Sequence, residues 1–247
     1  NYRKETAEIL IATLLARRPE AIVLTYDDHT PRARQLLVKS GIPVIEIWET
    51  PRRPIGHVVG FSNRQAAAAM TRHLIDAGRR RIGYIGEKDD AGTRGAERRK
   101  GFCDALTAAG LDSKRHIALS PPPITMMQGR EAMQALLRRW PDTDAVMCVS
   151  DPAAYGALSA CQLLGLHVPD RIALAGFCDF EISRCAIPPI STISVSGLDI
   201  GARAGRLVVD LLQRGASGPN QIILVDSNPT LRQSSSETTP AGTARKV

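Results

Sequence analysis

With 247 residues, 43% of them hydrophobic, the chain is long and apolar enough to fold as one large domain or two lobes, and it is not a disordered polymer. No run approaches the roughly 18 apolar residues of a membrane span, and the opening Asn1-Tyr2-Arg3-Lys4-Glu5 is too charged for a secretory leader. A formal charge of +7 suits a polyanionic partner, but the arginines are dispersed and aromatics are only 4%, which points to a solvated basic surface rather than a nucleic-acid grip.

In chain order, Ile9, Leu10 and Leu14 fall near a helical period, and residues 2–17 are expected as a helix ended by Pro19. Residues 21–24 read as a short strand running into Thr25, followed by a helix over 32–39 closed by Gly41 and a strand over 44–48. The stretch from Val58 to Leu106 carries the most information. It holds a strand through Val58, Val59 and Gly60, an Ala-rich helix over 64–77 closed by Gly78, a strand over 81–86, and a helix opened by Arg94 and Arg98 ahead of Gly101-Phe102. Strand, crossover helix and strand make one βαβ unit. The arginines follow the carboxyl end of its second strand, where open α/β sheets take ligands.

The pattern repeats with strands over 142–149 and 172–177 around a helix over 153–164. Pro188-Pro189-Ile190-Ser191-Thr192 is an extended connection, and a helix over 198–214 and a strand over 221–225 follow it. Gly197, Gly201 and Gly205 share one helical face, where small residues are expected to permit close helix packing. Residues 237–247 are expected as a disordered tail. Such alternation argues for parallel sheets covered on both faces, but the period does not choose between one barrel and two lobes.

Several chemistries lack their signatures. There is no GxGxxG, GxxxxGK[ST], HExxH or GxSxG, and His29, His57, His73, His116 and His167 are read as surface or packing residues, so no enzyme, cofactor or metal is expected. Asp27, Asp28, Asp89 and Asp90 have the right chemistry for acid and base roles, yet paired acids after strands are commonly turn and cap residues. The five cysteines are odd in number and lack a CxxC pair, which signals neither a disulfide framework nor zinc and suits a reducing cytoplasm. Arg94 and Arg98, four apart, repel each other by about 0.2–0.5 kcal/mol on a helix. Either Asp89 and Asp90 or a bound anion at the helix start would offset this, and the residues alone leave both open.

Seven pieces in register resemble the lac repressor family of bacterial transcription regulators, and most closely its gluconate repressor-like branch. They are Ala16-Arg17-Arg18-Pro19-Glu20-Ala21-Ile22-Val23-Leu24-Thr25, Gly41-Ile42-Pro43-Val44-Ile45-Glu46, Val59-Gly60-Phe61-Ser62-Asn63-Arg64-Gln65-Ala66, Arg98-Arg99-Lys100-Gly101-Phe102, Val149-Ser150-Asp151, Ala175-Gly176-Phe177 and Ile187-Pro188-Pro189-Ile190-Ser191-Thr192-Ile193. They span nearly all of residues 1–233.

The resemblance implies an α/β fold of two Rossmann-like parallel-sheet lobes joined by three crossing strands, like a type I periplasmic binding protein. One lobe would hold residues 1–61 and 197–225, the other 62–196 and 226–236. It implies an effector in the cleft between them, contacted by Arg98 of the RxxGF motif and by Arg94 one turn earlier. Thr25, Trp48 and Glu49 from the first lobe and Ile124, Ser150 and Cys178 from the second are expected to line it. Where many relatives carry a carboxylate after the Gly-Phe pair, this chain has Cys178 and then Asp179. That loss of an acceptor beside added positive charge points to a sugar acid such as gluconate. The resemblance further implies a cytoplasmic homodimer, no membrane association, and operator DNA read by a helix-turn-helix headpiece expected upstream of Asn1, together with a first strand. The competing expectation is a periplasmic sugar-binding protein of a transporter.

Overall fold

The computed structural model describes residues 4–25, 29–88, 93–214 and 218–236. Asp27, Asp28, Asp89, Asp90 and the tail 237–247 lie outside them. In chain order the elements are α1 (Lys4–Ala16), β1 (Ile22–Thr25), α2 (Pro31–Lys39), β2 (Val44–Ile47), β3 (His57–Gly60), α3 (Asn63–Asp76), β4 (Ile82–Ile85), α4 (Arg94–Ala108), β5 (His116–Ile117) and α5 (Met126–Arg139). There follow β6 (Ala145–Cys148), α6 (Asp151–Leu163), β7 (Ala173–Ala175), α7 (Glu181–Cys185), β8 (Thr192–Val195), α8 (Gly197–Arg214), β9 (Ile222–Leu224), β10 (Ser227–Thr230) and a 3-10 turn, Gln233–Ser235.

Five helices open where a Ser or Thr, at a strand end or in the loop after it, supplies the cap. Thr30, Ser62, Thr93, Thr125 and Ser150 each accept the backbone N–H three residues on, opening α2, α3, α4, α5 and α6. Each such cap is worth about 1 kcal/mol. Two parallel sheets result, in the orders β1-β2-β3-β9 and β5-β4-β6-β7. This is the expected two-lobed arrangement, not a closed barrel.

The chain passes between the sheets three times, after β3, between β8 and α8, and after β9; β8 and β10 pair antiparallel along the way. In the first sheet the period of two sends Val44 to a cluster with Ile11, Ile22, Ala33 and Leu37 of α1, β1 and α2. Ile45 faces the other way, into the large core that includes Ile200, Ala204 and Leu207 of α8. The outer edge of β1 has no strand partner among the described residues, and Val23 on it is 44% exposed.

The glycine face of α8 packs closely at one end only: a Cβ on Gly197 would stand 3.3 Å from the Trp48 ring, while Gly201 and Gly205 have nothing in the described chain within 4 Å of where a Cβ would stand. Close helix contacts are made elsewhere, by α4 on α3 at Gly101 and by α5 on α6. A Cβ on Gly156 would stand 1.9 Å from the Met126 carbonyl oxygen, and one on Gly129 would stand 2.4 Å from that of Ala153. Only glycine lets the two backbones approach so closely.

Candidate functional site

The carboxyl ends of β2, β3, β4, β6 and β7 converge, as strand ends do where open sheets bind ligands. Arg98, on the second turn of α4, is only 8% exposed. Its Nε donates to Asn63 Oδ1 at 2.7 Å and its Nη1 to the Val149 carbonyl at 2.7 Å, while Nη2 lies 4.0 Å from Cys178 Sγ. The guanidinium covers the Phe177 ring at 3.8 Å. Such a desolvated cation–π contact contributes about 2 kcal/mol. Arg98 takes part in none of the ion pairs among the described residues. A nearly buried guanidinium therefore has an Nη edge that protein carboxylates leave uncompensated, which favours an anion there.

Aromatic rings continue from Phe177 to the other lobe. Phe177 stacks on Phe61 at 6.2 Å, Phe61 meets Trp48 edge-on at 6.5 Å, and the Arg94 guanidinium lies over Trp48 at 5.9 Å. Trp48 holds a left-handed backbone at φ 76°, and Cys178 and Asp179 do the same at 99° and 57°. Three of the four described non-glycine residues with positive φ thus sit at the junction of the lobes; strain of this kind collects where a site over-determines the chain.

The expected lining residues divide into groups. Arg94, Arg98, Trp48 and Cys178 come together through the contacts above. Glu49 is near them but turned inward at 5% exposure, where it accepts from Thr50 N at 2.8 Å and Asn63 Nδ2 at 3.0 Å. Burial pushes its carboxyl up, and Glu97 adds to this, against the pull of those hydrogen bonds. The Ser150 hydroxyl caps α6 by accepting from Ala153 N at 3.4 Å. Ile124 is 6% exposed and packs in the core, and Thr25 is exposed at the end of the edge strand β1. No described hydrogen bond, ion pair or ring contact ties Thr25 or Ile124 to Arg98.

Asp179 does not replace the carboxylate missing at Cys178. It accepts from Arg232 Nη2 at 2.6 Å and Arg184 Nη2 at 3.0 Å, with Ser183 and Ser194 at 3.3 Å. Burial works against its charge, yet the two arginines outweigh that and hold the carboxyl below its usual range. Burial also pushes the Cys178 thiol up, despite Arg98 nearby, so it faces the site as a neutral thiol.

Asn63, Phe61 and Phe177 belong to this constellation although sequence reasoning named none of them as site residues. The available signal was position, since each lies within three residues of a strand's carboxyl end. Nothing in composition separates such a residue from an ordinary cap or core aromatic.

The Periplasmic binding protein-like domain family matches residues 71–235. The chain is 33% identical over 226 residues to the HTH-type transcriptional regulator IdnR of Escherichia coli, covering 91% of this chain and 67% of that protein. A solved LacI family transcriptional regulator from Silicibacter pomeroyi is 45% identical with a TM-score of 0.90, over 94% of this chain and 84% of that one. A transcriptional regulator CelR, solved as a cellobiose complex, is 28% identical with a TM-score of 0.79, over 92% of this chain and 69% of its own. The chain spans 57% to 67% of the length of curated relatives such as IdnR and the GntR regulators.

Proposed function

We propose, on the premise that this chain belongs to the lac repressor family of transcriptional regulators and carries its periplasmic-binding-protein-like domain, that it is an effector-binding and dimerisation module taking a small sugar acid between its lobes. The observation that carries the reading is Arg98, nearly buried and free of any described ion pair. A carboxylate supplies the missing counter-charge through the Nη edge, because Asn63 already occupies Nε. The half-buried Trp48 ring, backed by the core residue Phe61, offers an apolar surface to the carbon chain, and the CelR complex gives a carbohydrate precedent in this fold.

Effector would favour one relative orientation of the lobes only through its differential affinity for the two states. In a homodimer that shift changes the separation of two operator-reading heads, which lie outside these residues. An exposed apolar patch on the second lobe supports the dimer reading: Met126, Met127, Tyr155 and Ile187 are 46%, 55%, 37% and 81% exposed. Met126, Met127 and Tyr155 line one depression between α5 and α6, and Gln162 of α6 ties the Ile187 carbonyl to that face. Regulator names among the relatives favour this reading over a transporter's binding protein. All five cysteines are free thiols, in keeping with a cytoplasmic setting, and no described helix is long and apolar enough to cross a membrane.

Calorimetric titration with gluconate and its neutral counterpart glucitol tests the proposal. Gluconate is expected to bind at least about tenfold more tightly, as one charge-assisted contact provides. Arg98→Lys is expected to erase most of that margin, having lost the planar fork. Arg98→Ala also strips Asn63 Oδ1 and the Val149 carbonyl of a partner and costs about 1–3 kcal/mol for each, so its melting temperature must be measured beside its affinity. Tighter binding of glucitol refutes the charge argument.

A further inference from the structure

Asn63 stands between a buried carboxylate and a buried guanidinium and touches both. Its side chain is fully buried as the first residue of α3, where the chain has just left the first sheet. Nδ2 donates to the Trp48 carbonyl and to Glu49 Oε2, both at 3.0 Å, while Oδ1 accepts from Arg98 Nε at 2.7 Å. The amide orientation is dictated by its partners, since a donor must face the two acceptors and an acceptor must face Nε–H. Glu49 and Arg98, the obvious ion pair of this region, are thereby held apart and make none.

We infer that Asn63 is a positioning and specificity-determining residue, a neutral spacer that fixes the Arg98 fork while preventing Glu49 from neutralising it, so that the positive charge is kept for an anionic effector. The inference rests on the sugar-acid reading for its ligand but not for its geometry. An amide suits the task because it satisfies both neighbours without carrying charge. A carboxylate there would pair with Arg98 and oppose Glu49, whose own carboxyl is already raised by burial and by Glu97. The charged and titratable groups around position 63 are Glu49 beyond β2, Glu97 and Arg98 on α4 and, past Arg98, Cys178.

The test compares wild type with Asn63→Asp and Asn63→Ala, each checked for fold by thermal melting. Asn63→Asp is expected to bind gluconate at least about tenfold more weakly at pH 7.5 and to recover part of the loss at pH 5.5. At the lower pH one proton shared with Glu49 restores a donor and removes the compensating charge. Glucitol affinity is expected to stay within about twofold, a pattern that a loss of packing alone would not produce. A folded Asn63→Asp variant that binds gluconate as wild type does at both pH values overturns the inference.

A ligand-free measurement covers variants that fail to fold. The Arg98 Nε–H signal in a nitrogen-15 spectrum, assigned by its loss in Arg98→Lys, is expected to be protected from solvent exchange in wild type and unprotected in Asn63→Ala. Exchange in wild type as fast as that of an exposed arginine overturns the positioning role whether or not gluconate binds. Protection in a protein that ignores gluconate sinks the sugar-acid reading and supports the positioning role.

Discussion

In the second sheet β4 and β6 lie at the centre with every residue buried, and the helices beside them close to backbone contact at Gly129 and Gly156. In the first sheet β1 is an edge strand with Val23 and Thr25 exposed, and the cluster behind it has only Ile11, Ile22, Ala33, Leu37 and Val44 as buried members. The candidate site straddles this difference. Arg98, Phe177 and Cys178 stand on the tightly packed lobe, Trp48 and Glu49 on the other. Preorganised charge belongs on the lobe that deforms least, because a guanidinium held to within a fraction of an ångström loses less freedom on binding. The looser lobe is the one better able to move around a ligand.

Core truncation should break this comparison most visibly. Tyr84, fully buried and packed on Phe102 at 5.1 Å, is expected to cost about 3–5 kcal/mol as Tyr84→Ala. Leu37→Ala, in the smaller cluster, is expected near 2–3 kcal/mol, since its surroundings can relax. Denaturant unfolding followed through the two tryptophans separates the lobes, Trp140 reporting the second and Trp48 their junction. Coincident transitions with equal losses would erase the distinction.

The junction itself should respond to pH. Asp151, fully buried at the start of α6, accepts from Thr192 Oγ1 and Phe180 N, each at 2.6 Å, and so ties the second lobe to the crossing strand β8. Burial, outweighing those hydrogen bonds, pushes its carboxyl from 3.8 to about 6. Between those values the folded state holds a proton that the unfolded state has released. Stability from this group is therefore complete below pH 3.8 and is lost as pH rises through about 6, by about 3 kcal/mol in all. Asp151→Asn is expected to flatten the fall in melting temperature between pH 4.5 and 7. An unchanged slope would mean that another group controls it.

The smallest effects sharpen the contrast between the helices. Gly129→Ala forces its Cβ onto the Ala153 carbonyl and is expected to destabilise by about 1–3 kcal/mol. Gly201→Ala, on the open face of α8, is expected to stabilise by up to about 1 kcal/mol through helix propensity. Loss of stability in the second variant would show that this face is covered in solution.

Much of the fold was legible because it is local. Strong periodicity and Gly or Pro punctuation located α1, α2, α3, α6, α8 and most strands of both sheets, with ends shifted by one or two residues where Ser62 and Ser150 act as caps. The helix α5 went unassigned although Thr125 and Gln128 form its capping box, because Met126 and Met127 at its start are exposed and blur the apolar stripe. The two-residue β5 and the Pro-containing β10 carry no alternation to read; both exist through their partners β4 and β8. In α8 the glycine spacing meets a partner only at Gly197, beside Trp48, and not at Gly201 or Gly205, while the close-packed glycines of α5 and α6 show no such spacing.

By itself the sequence determined the alternation of strand and helix, the parallel pairing that such alternation implies, and the placement of Arg94 and Arg98 on the first turns of a helix after a strand. These follow from periodicity and capping, which act over a few residues. Only the tertiary structure decided that Arg98 Nε belongs to Asn63, 35 positions away, that Val149 and Phe177 hold the rest of the guanidinium, and that Glu49 is turned from the cleft. Such partners are brought together by sheet order and by the crossings between lobes, and chain spacing carries no record of either.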